Sequence, residues 1–245
     1  VSRGSRKLEE LKARLTRPAS LIELADRRTA SSDPLASWFG RISVALPGEE
    51  WPESGGELMV PVAQLNLSEA PYVPPALGDV ALVSVYFGRD ELSGSTQNGD
   101  GWLVRAYSSL EGLRAIEVPP EAAGGVCWLS GADGPIKPSP LRYRLLQNDY
   151  PDYEDLPPDV DEDLAERFTE DLSASPGSKL GGWPSLIQGE VSWAPWREHP
   201  ANPEYAFQLG AMAKTNFWLA DDGMCYFGRG TGAARDVWTF EWQIA

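Results

Sequence analysis

The sequence predicts an α+β protein: two internally duplicated β-rich units packed together, an amphipathic helix at the N-terminus and a second helix in an acidic linker. Three observations carry this prediction. Several segments have the composition and alternation of strands, two others have helical spacing, and a set of short motifs recurs at nearly constant separation. The organisation expected is an N-terminal helical segment (1–34), a first β-rich repeat (35–148), an acidic linker with a helix (149–178) and a second β-rich repeat (179–245). These would close into a single compact unit.

Residues 5–16 place Leu8, Leu11 and Leu15 at helical spacing among charges, and the helix should stop before Pro18. Residues 19–28 are compatible with a short helix or an edge strand. Residues 57–67 suit a strand that Pro61 pushes toward a sheet edge. Residues 79–87 (Asp-Val-Ala-Leu-Val-Ser-Val-Tyr-Phe) are apolar on both faces, as a central strand requires. Strands are also expected over 101–107 and 113–118. In 236–244, Trp238, Phe240, Trp242 and Ile244 alternate with polar residues, predicting one buried face. Between the β-rich regions, Leu164, Phe168 and Leu172 recur at intervals of four, with acidic residues ahead of them favouring the helix dipole.

The repeat rests on order. Tyr86-Phe87-Gly88-Arg89 recurs as Tyr226-Phe227-Gly228-Arg229, Gln64-Leu65 as Gln208-Leu209, and Phe39-Gly40 as Leu180-Gly181. Each match is trivial alone. Three in the same order at offsets of 140 to 144 read as a duplicated unit, each copy covering the apolar face of the other.

Charge and composition limit the function. The formal net charge is −15, yet residues 1–28 carry eight Lys/Arg against four Asp/Glu, which leaves −19 for the remainder. Such a body repels phosphate backbones, so no nucleic-acid partner is expected and a basic protein is favoured. No segment has the apolar length of a membrane span and none of the first thirty residues forms a signal-peptide core. A cytoplasmic location, with no membrane partner, is the expectation. Two cysteines cannot form a disulfide framework, and Cys225, inside Met-Cys-Tyr-Phe, reads as a buried inert thiol.

Catalytic signatures are weak. Asp159, Asp161, Asp163 and Glu170 match ligand positions of a calcium loop, but Leu164 stands where that loop needs Gly, so a solvated acidic face is favoured. Gly228, Gly230 and Gly232 are too closely spaced for a dinucleotide fingerprint. His199 is the sole histidine and lies in a loop-like stretch, which rules out zinc sites built on histidine pairs. No metal, cofactor or catalytic residue is assigned.

The run Ser178-Lys179-Leu180-Gly181-Gly182-Trp183-Pro184, followed by Phe207-Gln208-Leu209 and Asp222-Gly223-Met224-Cys225-Tyr226-Phe227, resembles the YwqG-like family, bacterial proteins of largely unknown function. In the first copy Trp38-Phe39-Gly40-Arg41 departs from the Lys-aromatic-Gly-Gly pattern. The resemblance implies an α+β fold with internal duplication. Because some relatives are encoded among toxin and immunity genes, it also implies an immunity role.

The leading functional expectation is therefore an acidic protein-binding module, an immunity-type inhibitor of a basic toxin domain. Residues 149–171 hold eleven acidic side chains and one basic one. Asp149, Asp152, Glu154, Asp155, Asp159, Asp161, Glu162 and Asp163 would steer the partner, with Trp193 and Trp196 as exposed anchors. The alternative is an enzyme or small-anion-binding protein with a site between the repeats. There Arg89 and Arg229 would hold the anion, with Asp221 or Asp222 in acid–base work.

Overall fold

The computed structural model describes residues 3–89, 97–123, 135–219 and 222–244. In chain order the elements are α1 (Arg3–Leu15), β1 (Arg17–Leu24), β2 (Trp38–Phe39), β3 (Val44–Ala45), β4 (Glu53–Ser54), β5 (Glu57–Leu58), β6 (Val60–Asn66), β7 (Leu82–Phe87), β8 (Trp102–Tyr107) and β9 (Arg114–Ala115). There follow β10 (Ser139–Asp149), α2 (Glu162–Thr169), β11 (Lys179–Gly181), β12 (Glu204–Gly210), β13 (Met224–Arg229) and β14 (Trp238–Gln243).

Ten strands form one antiparallel sheet in the order β14-β13-β12-β11-β1-β10-β2-β6-β7-β8. The α+β fold of two packed, duplicated units is therefore incorrect. The molecule is mostly β, a nearly closed barrel-like sheet with two short α-helices among the described residues. The first and last pairs of strands curl toward each other. Phe87 and Trp102 of β7 and β8 meet Phe227 and Phe240 of β13 and β14, with Trp102 and Phe240 stacked at 5.1 Å and Phe87 and Phe240 at 5.7 Å. Burying aromatic rings from both sheet ends in one core is what closes the barrel.

Residues 19–28, left between helix and edge strand, instead supply β1, which pairs with β10 on one side and β11 on the other at the centre of the sheet. Local composition could not place this strand, because its partners lie more than 110 residues away in β10 and further still in β11. Although β6 is paired on both sides over Ala63 and Gln64, Pro61 itself pairs only with Tyr86 of β7 and so sits at a local edge. Proline is tolerated because a bulge lies between Pro61 and Ala63, and β2 is too short to reach it. β7 (Leu-Val-Ser-Val-Tyr-Phe) is entirely buried between β6 and β8, as its composition requires. The strand expected over 113–118 contracts to two residues.

The repeated tetrapeptide also falls out of register. Beside the bulge in β6, Pro61 pairs with Tyr86; beside the bulge in β12, Tyr205 pairs with Gly228. Tyr86 thus stands where Gly228 does, two residues from Tyr226. A slip of two preserves which face a side chain takes, so Phe87 and Phe227 both enter the core although they are not equivalent.

The helices build a second, smaller core. Leu11 and Leu15 of α1 pack with Ala165 and Phe168 of α2 and with Trp183. The Trp183 indole donates to the Leu15 carbonyl at 2.7 Å, satisfying an acceptor at the end of α1. Asp161 caps α2, its carboxylate accepting from Leu164 N at 3.0 Å. No helix among the described residues is long and apolar enough to cross a membrane.

Candidate functional site

The acidic segment leaves the end of β10 and divides by depth. Asp149, Asp152 and Asp155 recur every three residues and turn inward. Asp149 is buried and accepts from Lys179 Nζ at 2.8 Å, Trp183 N at 2.8 Å and Ser175 N at 2.7 Å. Lys179 is also fully buried and completes its coordination on the Ser175 carbonyl. Burial draws its ammonium below the usual lysine value, and the Asp149 carboxylate opposes that shift. Asp152 is half-buried and accepts from Ala174 N and Leu186 N.

Asp155 is different. Its side chain is completely buried and neither carboxylate oxygen has a hydrogen-bond partner among the described residues. Loss of water raises its pKa to about 8, with Arg197 opposing and Asp152 and Glu154 reinforcing the shift. At neutral pH this residue holds its proton.

Outside these three, the segment is solvated. Glu154, Asp159, Asp161, Glu162, Asp163, Glu166, Glu170 and Asp171 are exposed. Asp159 is engaged by Arg14 of α1 at 2.9 and 3.2 Å, and Asp161 lies 4.0 Å from Lys7. Glu162, Asp163 and Glu166 have no cation within ion-pair distance among the described residues. Two exposed aromatics stand at the edge of this face: Tyr153, 49% exposed, and Trp196, 51% exposed. The Trp196 indole donates to the Asp155 carbonyl at 2.8 Å, which ties the ring to the segment.

The expected partner-facing set therefore changes. Asp149 and Asp155 are interior and unavailable to a partner, because each closes against the folded chain itself. Trp193 is no surface anchor: it is buried in a cluster with Val191, Tyr205 and Tyr226. Tyr153 was missed, since one tyrosine among prolines and acids carries no sequence signal of exposure.

The expected anion site does not assemble either. Arg229 is buried and binds Asp79 through two nitrogens at 2.6 and 3.1 Å, with further bonds to the Ala76 and Arg235 carbonyls. Arg235 joins the same carboxylate at 2.9 Å. Those hydrogen bonds hold the Asp79 carboxyl well below the usual range. Arg89 instead donates to the Glu121 carbonyl. Arg229 is thus neutralised by its own chain, and Asp221 lies outside the described residues. Cys225 is a buried free thiol whose pKa burial pushes up, whereas Cys127 lies outside the described residues.

Beside Trp196 the surface opens into a cleft of about 440 Å³ lined by Arg17, Tyr72, Pro74, Trp196, Glu204 and Tyr205 among others. Two glycines make it. Gly181 ends β11 with φ +68°, and a Cβ there would lie 2.8 Å from the Tyr72 ring and 3.1 Å from Pro74. Gly182, at φ +71°, would place a Cβ against the Asp149 carboxylate. Their bareness lets the Tyr72–Pro74 segment and Asp149 approach the chain from opposite sides. Tyr72 is fixed from below, because Ser20 of β1 donates to its carbonyl at 2.7 Å and accepts from its N–H at 2.9 Å.

The architecture and this site describe a β-sheet protein with a cleft and an acidic, aromatic-edged face on one flank, and among the described residues no cluster able to hold a metal ion. The chain belongs to the family described as Domain of unknown function (DUF1963), which matches residues 39–228. Asp149, Lys179, Gly182 and Trp196 fall inside that stretch, while α1, β1 and β14 fall outside it. Among curated proteins none matches the chain significantly.

Proposed function

We propose that the protein is a binding module that engages a basic partner protein through its acidic face. The observation that carries this reading is the pairing of exposed carboxylates with exposed aromatics. Glu154, Glu162 and Asp163 are exposed, and Tyr153 and Trp196 stand at the same segment. Aromatic anchors supply contact area at low entropic cost, and a rim of one charge accelerates encounter with the opposite charge. The net charge of −15 extends that attraction beyond the contact itself.

In its finer form the reading is an immunity-type inhibitor that covers the cationic active site of a toxin. The resemblance to YwqG-like proteins supports it. The test is co-expression with any basic protein encoded beside this gene, comparing the wild type with Glu154→Lys/Glu162→Lys/Asp163→Lys and with Trp196→Ala. The charge-reversed variant should lose association by more than about tenfold at low salt, with the difference shrinking as salt screens it. Trp196→Ala should speed dissociation at any salt. If both variants bind as the wild type does, the acidic face is not the recognition surface.

A further inference from the structure

The cleft beside Trp196 holds a cation, Arg17, without a hydrogen-bond or ion-pair partner among the described residues, an observation that uses none of the exposed carboxylates. Arg17 opens β1, in the middle of the sheet, so its backbone is fixed by pairing with Asp149. Its guanidinium carbon lies over the Trp183 ring, 3.4 Å from the ring centroid. Five N–H donors point outward from that stack, and none finds a hydrogen-bond acceptor or an ion-pair carboxylate among the described residues. Partial burial works against the charge, and the carboxyl groups that face it, Asp155, Glu204 and Asp149, remain beyond contact distance. Every other buried or half-buried cation near this region is matched: Lys179 by Asp149, Arg229 by Asp79 and Arg197 by Glu190.

The walls around it are apolar and flat. Tyr72, Pro74, Pro184, Pro203 and Trp196 line the cleft, and Trp196 is held at φ +60°, a backbone conformation that bulky residues rarely adopt. Its indole donates a hydrogen bond to the Asp155 carbonyl, which fixes the ring beside the cleft. A cavity of this size accommodates a small organic molecule, with one fixed polar group setting its orientation.

We propose that this cleft is a binding site for a small aromatic or cyclic monocarboxylate, its carboxylate on Arg17 and its ring between Pro74 and Trp196. A planar guanidinium matches a carboxylate through two parallel hydrogen bonds. Glu204 at the cleft and the acidic surroundings disfavour a second negative charge, which selects a monoanion over phosphate. The Tyr72 phenol, also lining the cleft, adds a neutral donor.

The experiment uses the full chain and three probes: phenylacetate, its uncharged isostere phenylacetamide, and inorganic phosphate. Binding is read by tryptophan fluorescence and by calorimetry. Phenylacetate should bind at least about tenfold more tightly than phenylacetamide, because a charge-assisted pair is lost in the amide. Phosphate should not compete. Arg17→Met, which keeps apolar contact with Trp183, should erase the preference for phenylacetate, and Arg17→Lys should restore part of it. Circular dichroism and thermal melts establish that both variants fold, and if Arg17→Met does not, Trp196→Ala serves in its place and should weaken phenylacetate and phenylacetamide alike. The proposal is overturned if phenylacetate fails to bind at millimolar concentration, if phenylacetamide binds equally, or if phosphate displaces it. The probe comparisons and the Arg17 variants leave the exposed carboxylates untouched, so the two readings fail separately; Trp196→Ala alone bears on both.

Discussion

The two flanks of the sheet, β2-β6-β7-β8 and β11-β12-β13-β14, are built with the same clamp and finished with different chemistry. In each, a short strand ends at a glycine with φ +68°, Gly40 on one side and Gly181 on the other. In each, a buried glutamine ties down the neighbouring loops. The Gln64 side chain accepts from Ser43 N and donates to the Pro34 and Ala36 carbonyls; the Gln208 side chain accepts from Ser185 N and donates to the Gly177 carbonyl.

The finish differs at the residues beside the glycine. One flank has Trp38 and Arg41, with the guanidinium 4.9 Å from the indole centroid. The other has Lys179 and Gly182, with the Asp149 carboxylate seated between them. A shared clamp can thus be closed by a half-buried cation–π contact or by a buried ion pair. The buried pair draws the Asp149 carboxylate inward.

Removing Lys179 should have the largest effect. Lys179→Met strands Asp149 as an uncompensated buried charge and should cost about 3–5 kcal/mol in urea unfolding. Arg41→Met, its counterpart across the sheet, should cost under about 1 kcal/mol. Equal losses would erase the distinction between the flanks. Gly182→Ala comes next, at about 2–4 kcal/mol, since the methyl meets the Asp149 carboxylate in a left-handed conformation. Arg41→Gly, by contrast, should stay close to the wild type.

The glutamines test what the flanks share. Gln64→Leu and Gln208→Leu each leave buried backbone groups unpaired and should each cost about 1–3 kcal/mol. A large loss at one and none at the other would show that the clamp matters on one side only.

The last test is a pH dependence centred on the Asp155 flank. The folded chain holds the Asp155 proton up to about pH 8, while the unfolded chain releases it near the ordinary carboxyl value. Folding therefore takes up a proton between those values, and raising the pH across that window lowers stability. Asp152, also raised by burial, acts in the same sense, whereas Arg197 and Arg17 nearby oppose it. Asp79 acts oppositely: its lowered pKa contributes stability that disappears only as the solution becomes strongly acidic. Melting temperature should rise as pH falls from 8.5 to about 6, and Asp155→Asn should flatten most of that slope. An unchanged slope in the variant would place the titration elsewhere.

Much of the candidate site was only half legible. The spacing of Leu164 and Phe168 disclosed α2, and the count of acids disclosed the charged segment. Neither could separate Asp155 from Glu154, adjacent residues of which one is buried and one exposed. The tetrapeptide repeat was misleading in register because alternation in a strand tolerates a slip of two. Arg17, the centre of the cleft, carried no signal: arginine before proline after a helix is ordinary, and its stacking partner Trp183 is 166 residues away.

By itself the sequence determined the local elements: the helix carrying Leu8, Leu11 and Leu15, the buried strand at 82–87, the glycine turns and the sign of the surface. These depend on side-chain periodicity and backbone conformation within a few residues. Tertiary structure alone decided that β1 joins the two flanks into one sheet, which carboxylates face inward, and which cation is left without a partner. Those outcomes depend on long-range strand pairing and on the exclusion of water, and neither is written in any short stretch of chain.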